Sequence, residues 1–380
     1  MFRAPNELAT RQHASTAADI PKINRGAGPG FDALRLLLSV WVFTIHAMFI
    51  CDGTDAAEAF ATNPIHGLLI KPVLPMFFIV SGYLVTGSAI RTKSVSIFLL
   101  FRVLRIAPAL IVEISLSALI LGPWLTERTL SEYFSDPQFS RYFLNIVGNV
   151  QFLLPGLFVQ NPVPGTVNLN LWTLKPEFFC YLFISCMIVT KAIFSRNLCT
   201  LVALLTISLT VLYILQGGQL YNFVAVADWK ILIVAFVVGC WAFHWNDRLV
   251  MSGGRAMIAF LVAGAAIMYP SLIVLGLLAL TYIVIYIGTR RIWLPSLLRD
   301  GDYSYGIYLF GFPLQQTLVY FLPPEYRHGL AILLVGLPLT LAFAVFSWKF
   351  VEQPASKLKA RIKRGYSAAS GPHAADSRRA

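Results

Sequence analysis

The chain has 380 residues, 57% of them hydrophobic and 13% charged, with a formal net charge of +12. Soluble domains carry about 25% charge, so an ordinary water-soluble fold, a disordered chain and a fibrous chain are excluded, and the composition calls for lipid as the solvent. In such a chain the excess of 30 Lys and Arg over 18 Asp and Glu reads as charge kept on one side of a membrane, with no nucleic-acid partner.

Residues 1–30 are polar and mixed, without the apolar core and small-residue cleavage site of a secretory signal. They are expected to form a disordered cytoplasmic arm. Ten apolar runs of roughly membrane-crossing length follow, at 34–51, 67–88, 99–122, 172–191, 198–216, 229–245, 255–269, 271–288, 303–322 and 329–350. The runs are continuous and do not alternate, which favours helices over barrel strands. The expected fold is therefore all-α: a multi-pass bundle of about ten transmembrane helices over residues 31–358, followed by a basic, disordered tail over 359–380. The seventh and eighth runs are parted only by Tyr269-Pro270, which predicts a tight hairpin. Placing the N-terminus inside puts 24 of the 30 Lys and Arg on that side, so both termini are predicted to be cytoplasmic. The longest outer connection, 123–170, holds a second apolar stretch, 147–159, broken by Pro155 and Gly156. It is too short to cross and predicts a dip into the membrane or a lid. Cys51, Cys180, Cys186, Cys199 and Cys240 have no paired spacing, so neither a disulfide framework nor a zinc site is expected.

Charged groups inside such runs are costly and mark function. In the first run Arg35 and His46 are eleven residues apart. Eleven helical steps make three turns plus about 20°, so both point the same way, about 16 Å apart along the axis. A fixed cation and a deeper imidazole on one face suit a ligand with an anionic head and a reactive end. A snorkelling arginine and a satisfied core histidine are the plainer account. Late in the second run, Ser81-Gly82 permits close approach of a helix or a ligand. In the third, Arg102 and Arg105 share a face before Pro108. With Arg35 they make a basic cluster at the cytoplasmic mouth that suits phosphate. They would serve equally to set topology. The segment NLNLWTLKPEFF brings Trp172, a stacking platform or a belt residue, and Glu177, which could orient an imidazole, relay a proton or hold a sugar hydroxyl. Glu113 is a second buried carboxylate and a candidate partner for an arginine. Asp302, Ser304 and Tyr305 open the ninth run, and Glu352 closes the tenth beside the basic tail, as a substrate ligand or an ion-pair partner. A Walker loop, a dinucleotide fingerprint, metal-ligand spacing and a nucleophile elbow are all lacking, so no metal site is expected.

Taken together, Arg35-x10-His46, FFIVSGY at Ser81-Gly82, Arg102-x-x-Arg105-Ile-x-Pro108, LWTLKPE ending in Glu177, SYGIYL and Glu352-x-Pro354 resemble the membrane-bound acyltransferase-3 family. The six motifs follow the family's order over about residues 31–358. The chain departs from the family pattern at Thr173, Lys175-Pro176 and Gly311. The resemblance implies an O-acetyltransferase of the bacterial inner membrane that modifies surface or exported polysaccharide. It implies acetyl-CoA as the donor, held from the cytoplasm by Arg35, Arg102 and Arg105 next to Ser81 and Gly82. It makes His46 the general base on an acceptor hydroxyl, or an acyl carrier, with Glu177 assisting. Trp172 and Glu352 would hold the acceptor, a polysaccharide or lipid-linked oligosaccharide. Polysaccharide assembly proteins are implied as further partners. Two other readings stay open from the residues: a transporter or flippase that uses the same buried charges, and a non-catalytic subunit of a polysaccharide assembly.

Overall fold

The structure is a computed structural model that describes residues 15–16, 28–220 and 228–369. The arm expected over 1–30 and the tail beyond 369 lie almost wholly outside the described residues.

Helices form at each predicted run, and polar punctuation sets their ends. Helix α1 (Phe31–Thr62) continues past the apolar run because an alanine-rich stretch follows. It kinks at Gly53, whose φ of 84° suits glycine. Asn63 then accepts from the amides of Ile65 and His66 and starts α2 (Pro64–Ile70). Pro72, which lacks an N–H, separates α2 from α3 (Val73–Thr92). The single run predicted at 67–88 is therefore two helices. Helix α4 (Val95–Leu116) contains Pro108 and passes through a π-helical turn, Ser117–Leu121, into α5 (Gly122–Leu125). Short α6 (Leu130–Ser135), opened by a Thr129–Glu132 capping box, and α7 (Pro137–Tyr142) lie in the long connection. Then come α8 (Leu174–Val189), α9 (Arg196–Leu215) and α10 (Trp229–His244). Helices α11 (Gly253–Met268) and α12 (Ile273–Gly288) form the predicted hairpin about a 3-10 turn, Pro270–Leu272. After α13 (Ser296–Arg299), α14 (Ser304–Phe321) and α15 (Gly329–Ser347), a π-helical turn, Trp348–Glu352, leads into α16 (Gln353–Ala369). The tail expected to be unstructured is thus helical to Ala369.

Among the described residues, six helical stretches are long and apolar enough to cross a membrane, and α10, α11 and α12 are apolar but shorter. The architecture is a helical bundle. At one end gather Arg35, Arg102, Arg105 and Asp302, here called the arginine end. The long connection between α5 and α8 caps the other, the loop end.

Two packing features place the site. Helices α3 and α10 cross at very short range. A Cβ on Gly82 would stand 2.1 Å from the Phe236 carbonyl oxygen, and one on Gly239 would stand 2.4 Å from that of Ile79. Small residues at such a crossing let backbones touch, the usual way helices associate without a hydrophobic drive between them. The second feature is α14, which packs between α1 and α15. Pro313 leaves the Leu309 carbonyl without its helical donor, and Asn168 of the long connection supplies one, Nδ2 to oxygen at 2.9 Å. Asn170 does the same for the Tyr308 carbonyl at 2.6 Å. Gln316 donates to the carbonyls of Val163 and Thr166, and Asn161 donates to the carbonyl and Oε1 of Gln316. The apolar stretch foreseen at 147–159 forms no crossing helix. Its chain folds back, with Leu153 bridged to Thr166, and buries Leu154, Leu157 and Phe158. Gln316 of α14 satisfies two carbonyls of this irregular connection, as buried non-helical backbone requires.

Candidate active site

The arginine end is organised by one carboxylate. Asp302, just before α14, accepts through Oδ2 from Arg35 Nη1 of α1 at 2.8 Å and from Arg105 Nη2 of α4 at 2.7 Å. Its Oδ1 accepts from Ser304 Oγ at 2.6 Å. Burial alone would raise its pKa, but the Arg105 and Arg35 guanidiniums outweigh burial and hold it well below the usual carboxylate range. Arg105 also reaches Glu352 Oε2 at 3.3 Å, and Ser347 donates to Oε1 of the same carboxylate at 3.1 Å. Four sequence-distant positions, Arg35, Arg105, Asp302 and Glu352, are thereby locked together.

Arg102, one turn before Arg105, has a different environment. Its nearest polar contact is Ser88 Oγ at 3.4 Å, and its guanidinium lies over the rings of Phe98 and Tyr181. Its Nε is buried with no hydrogen-bond partner. Among the described residues no carboxylate stands within ion-pair distance of it. Arg102 is half-buried, and a cation partly withdrawn from water without an ion-pair partner is costly, so Arg102 is the position where an anion would be stabilised.

Two cavities meet inside the bundle. The first, about 180 Å³, is lined by Arg35, Arg102, Arg105, Ser81, Glu177 and Tyr181, among others. The second, about 460 Å³, is lined by His46, Asp52, Lys71, Trp172, Phe49 and Thr166, among others. Leu74, Asn170 and Tyr308 line both, and so form the partition between them. Tyr308 is held there by its hydroxyl at 2.9 Å from Thr173 Oγ1. Arg35 and His46 stand on an unbroken part of α1, as the eleven-residue spacing predicts, and each faces one of the two neighbouring cavities. The His46 ring sits edge-on to Phe312 and Phe49. Its Nδ1 is buried with no hydrogen-bond partner among the described residues.

The other predicted residues divide. Ser81 and Trp172 line cavities, one on each side. Glu177 lines the arginine cavity, not the histidine cavity, and accepts a very short hydrogen bond from Tyr181. It therefore makes no contact that would orient the imidazole. Gly82 faces the α10 backbone and lines neither cavity. Glu352 also lines neither, and is the ion-pair partner of Arg105. Among the described residues Glu113 pairs with no arginine. It accepts from Ser117 and Asn168 at 2.9 and 3.1 Å, fixing the long connection to α4. Sequence reasoning gave no role to Tyr308 or Asn170. The signal available for Asn170 was its place beside the tryptophan motif. For Tyr308 it was the run of small and aromatic residues in SYGIYL.

A family model described as an acyltransferase domain matches residues 29–349. The chain is similar to a protein named O-acetyl transferase from Shigella phage Sf6, 26% identical over 341 residues that cover 85% of this chain and 94% of the relative. It is likewise similar to Nodulation protein 10 of Rhizobium leguminosarum bv. viciae, 26% identical over 364 residues, 87% of this chain and 94% of that one. No solved structure matches the chain at a significant level.

Proposed function

Since the chain belongs to the acyltransferase-3 family and is therefore an acyltransferase, we propose that it carries an acetyl group from cytoplasmic acetyl-CoA to a sugar hydroxyl of an exported polysaccharide or its lipid-linked precursor. The carrying observation is the pair of adjoining cavities. One holds an unpaired arginine, the other an imidazole with an unpartnered nitrogen, and they share a wall. In this reading the protein spans a bacterial inner membrane about ten times with both termini inside. The arginine end then faces the cytoplasm, which agrees with the charge bias of the sequence.

The donor's phosphates sit on Arg102 and on the open edges of Arg35 and Arg105, which Asp302 and Glu352 hold in place. Guanidinium groups suit this task because they present several donors in a fixed plane. The acyl arm runs past Ser81 towards Tyr308, and the acceptor lies in the larger cavity against Trp172. His46 takes the proton of the acceptor hydroxyl as its oxygen attacks the thioester carbonyl carbon. The tetrahedral adduct collapses, the C–S bond breaks, and the proton passes from His46 to the departing thiolate. Glu177 fixes Tyr181, whose ring underlies Arg102, and so shapes the donor side. Two relatives with acyl-transfer or nodulation names support the reading without fixing the acceptor.

The test is NMR of ester groups on the cell's polysaccharides, with and without a functional copy of the gene. O-acetyl signals are expected to disappear on loss, to return with the wild type, and to stay absent with His46→Ala, since general-base removal typically costs about 100- to 10,000-fold. Unchanged esters on gene loss would overturn the function. Full restoration by a membrane-inserted His46→Ala protein would overturn the role of the imidazole.

A further inference from the structure

Helix α16 carries Lys357, Lys359, Arg361, Lys363 and Arg364 and no acidic residue. It begins just beyond the stretch that the family model matches. One of these side chains turns inward. The Lys359 ammonium lies 5.1 Å from the ring centre of Phe101, the residue before Arg102. Lys363 stands one turn further along the same helix face, and Arg91 lies about one turn beyond Ser88 of α3, which Arg102 contacts. Of the neighbouring acids, Asp302 is engaged by Arg35 and Arg105, Glu352 by Arg105, and Glu177, on the same cavity as Arg102, by the Tyr181 hydroxyl. Among the described residues no carboxylate stands within ion-pair distance of Arg91, Arg102, Lys359 or Lys363. Like charges gathered this closely repel one another, and Arg102 adds a buried Nε without a partner. A polyanion is the ligand that relieves both.

We propose that Lys359 and Lys363 of α16, with Arg91, form a second phosphate site adjoining Arg102, and that it binds the phosphate of the acyl donor remote from the thioester. The inference rests on the donor assigned above and adds the residues that recognise its far end. A coenzyme A thioester carries its diphosphate and its ribose 3′-phosphate apart from each other, so it needs two separated cationic sites. The arginines on the inner cavity make one. The last helix, packed on α4, makes the other. A lipid phosphate headgroup offers the same chemistry, and the experiment separates the two sources.

The full-length protein in nanodiscs of zwitterionic phosphatidylcholine is titrated with acetyl-CoA and with its 3′-dephospho form. The wild type is expected to bind the dephospho form about tenfold more weakly. The double variant Lys359→Gln, Lys363→Gln is expected to bind acetyl-CoA about tenfold more weakly and to bring the two donors level. In turnover it raises KM and leaves kcat in place, whereas Lys359→Arg keeps the discrimination. A double variant that separates the two donors as the wild type does overturns the site. So does one that keeps the discrimination but loses stabilisation by added phosphatidylglycerol, which would assign the cations to lipid. Wild-type protein with no affinity for either donor would instead overturn the donor reading of the previous subsection.

Discussion

Asp302 holds two helices through one oxygen. Arg35 of α1 and Arg105 of α4 both donate to its Oδ2, so its charge fixes the position of two guanidiniums. An unfolded aspartate titrates near pH 4, and the folded one titrates lower because the Arg105 and Arg35 guanidiniums outweigh its burial. A depressed folded pKa means that the ionised group's contribution is complete above about pH 4. It is lost as pH falls from there through the folded value. Thermal unfolding in detergent should therefore show an acid limb below about pH 4 that is shallower in Asp302→Asn, with the variant also less stable at neutral pH. An identical acid limb in both proteins would contradict this. The arginines could be picked out from the sequence because Arg at that spacing is unusual inside apolar runs. Their shared acid is 197 residues from Arg105 and 267 from Arg35, and no local pattern links such positions. For the same reason the sequence left Glu352 open between a substrate ligand and an ion-pair partner, and could not name Arg105 as that partner.

At the scale of elements, the crossing of α3 and α10 decides how the arginine cavity is walled. Gly82 and Gly239 leave no room for a Cβ, so Gly82→Ala must push the two backbones apart. Overpacking of this kind costs about 1–3 kcal/mol, which should appear as a lowered Tm of the purified protein and as weaker donor binding through the shifted Ser81 wall. A Tm equal to the wild type's would show that the crossing is loose. The sequence allowed Gly82 to face a helix or a ligand, and only the fold distinguishes them. Helix existence was readable because apolar content and length are local properties. Three breaks were readable only in part: Pro72, which divides one predicted run, the kink at Gly53, and the long connection. The last depends on pairing with α14, since Asn168 of the connection supplies a donor to the α14 carbonyl that Pro313 leaves free. That pairing spans 141 residues, beyond the reach of any window of periodicity.

At the scale of the whole molecule, the composition alone demanded a membrane, and the ordered motifs led to the acyltransferase-3 family that the family model then showed. The sequence placed Arg35 and His46 on one face of one helix. It could not divide that face between two cavities, because Leu74, Asn170 and Tyr308, which form the partition, come from three other parts of the chain. The account stands on that partition opening between donor and base. Its most direct test is a cryo-EM structure of the full chain with an acetyl-CoA analogue whose thioester sulfur is replaced by carbon. The account predicts phosphates on Arg102, the arm beside Ser81, and the acyl carbonyl at Tyr308 facing the His46 ring. An analogue whose carbonyl stops on the arginine side with Leu74, Asn170 and Tyr308 still closed, or one bound away from Arg102 altogether, would contradict it.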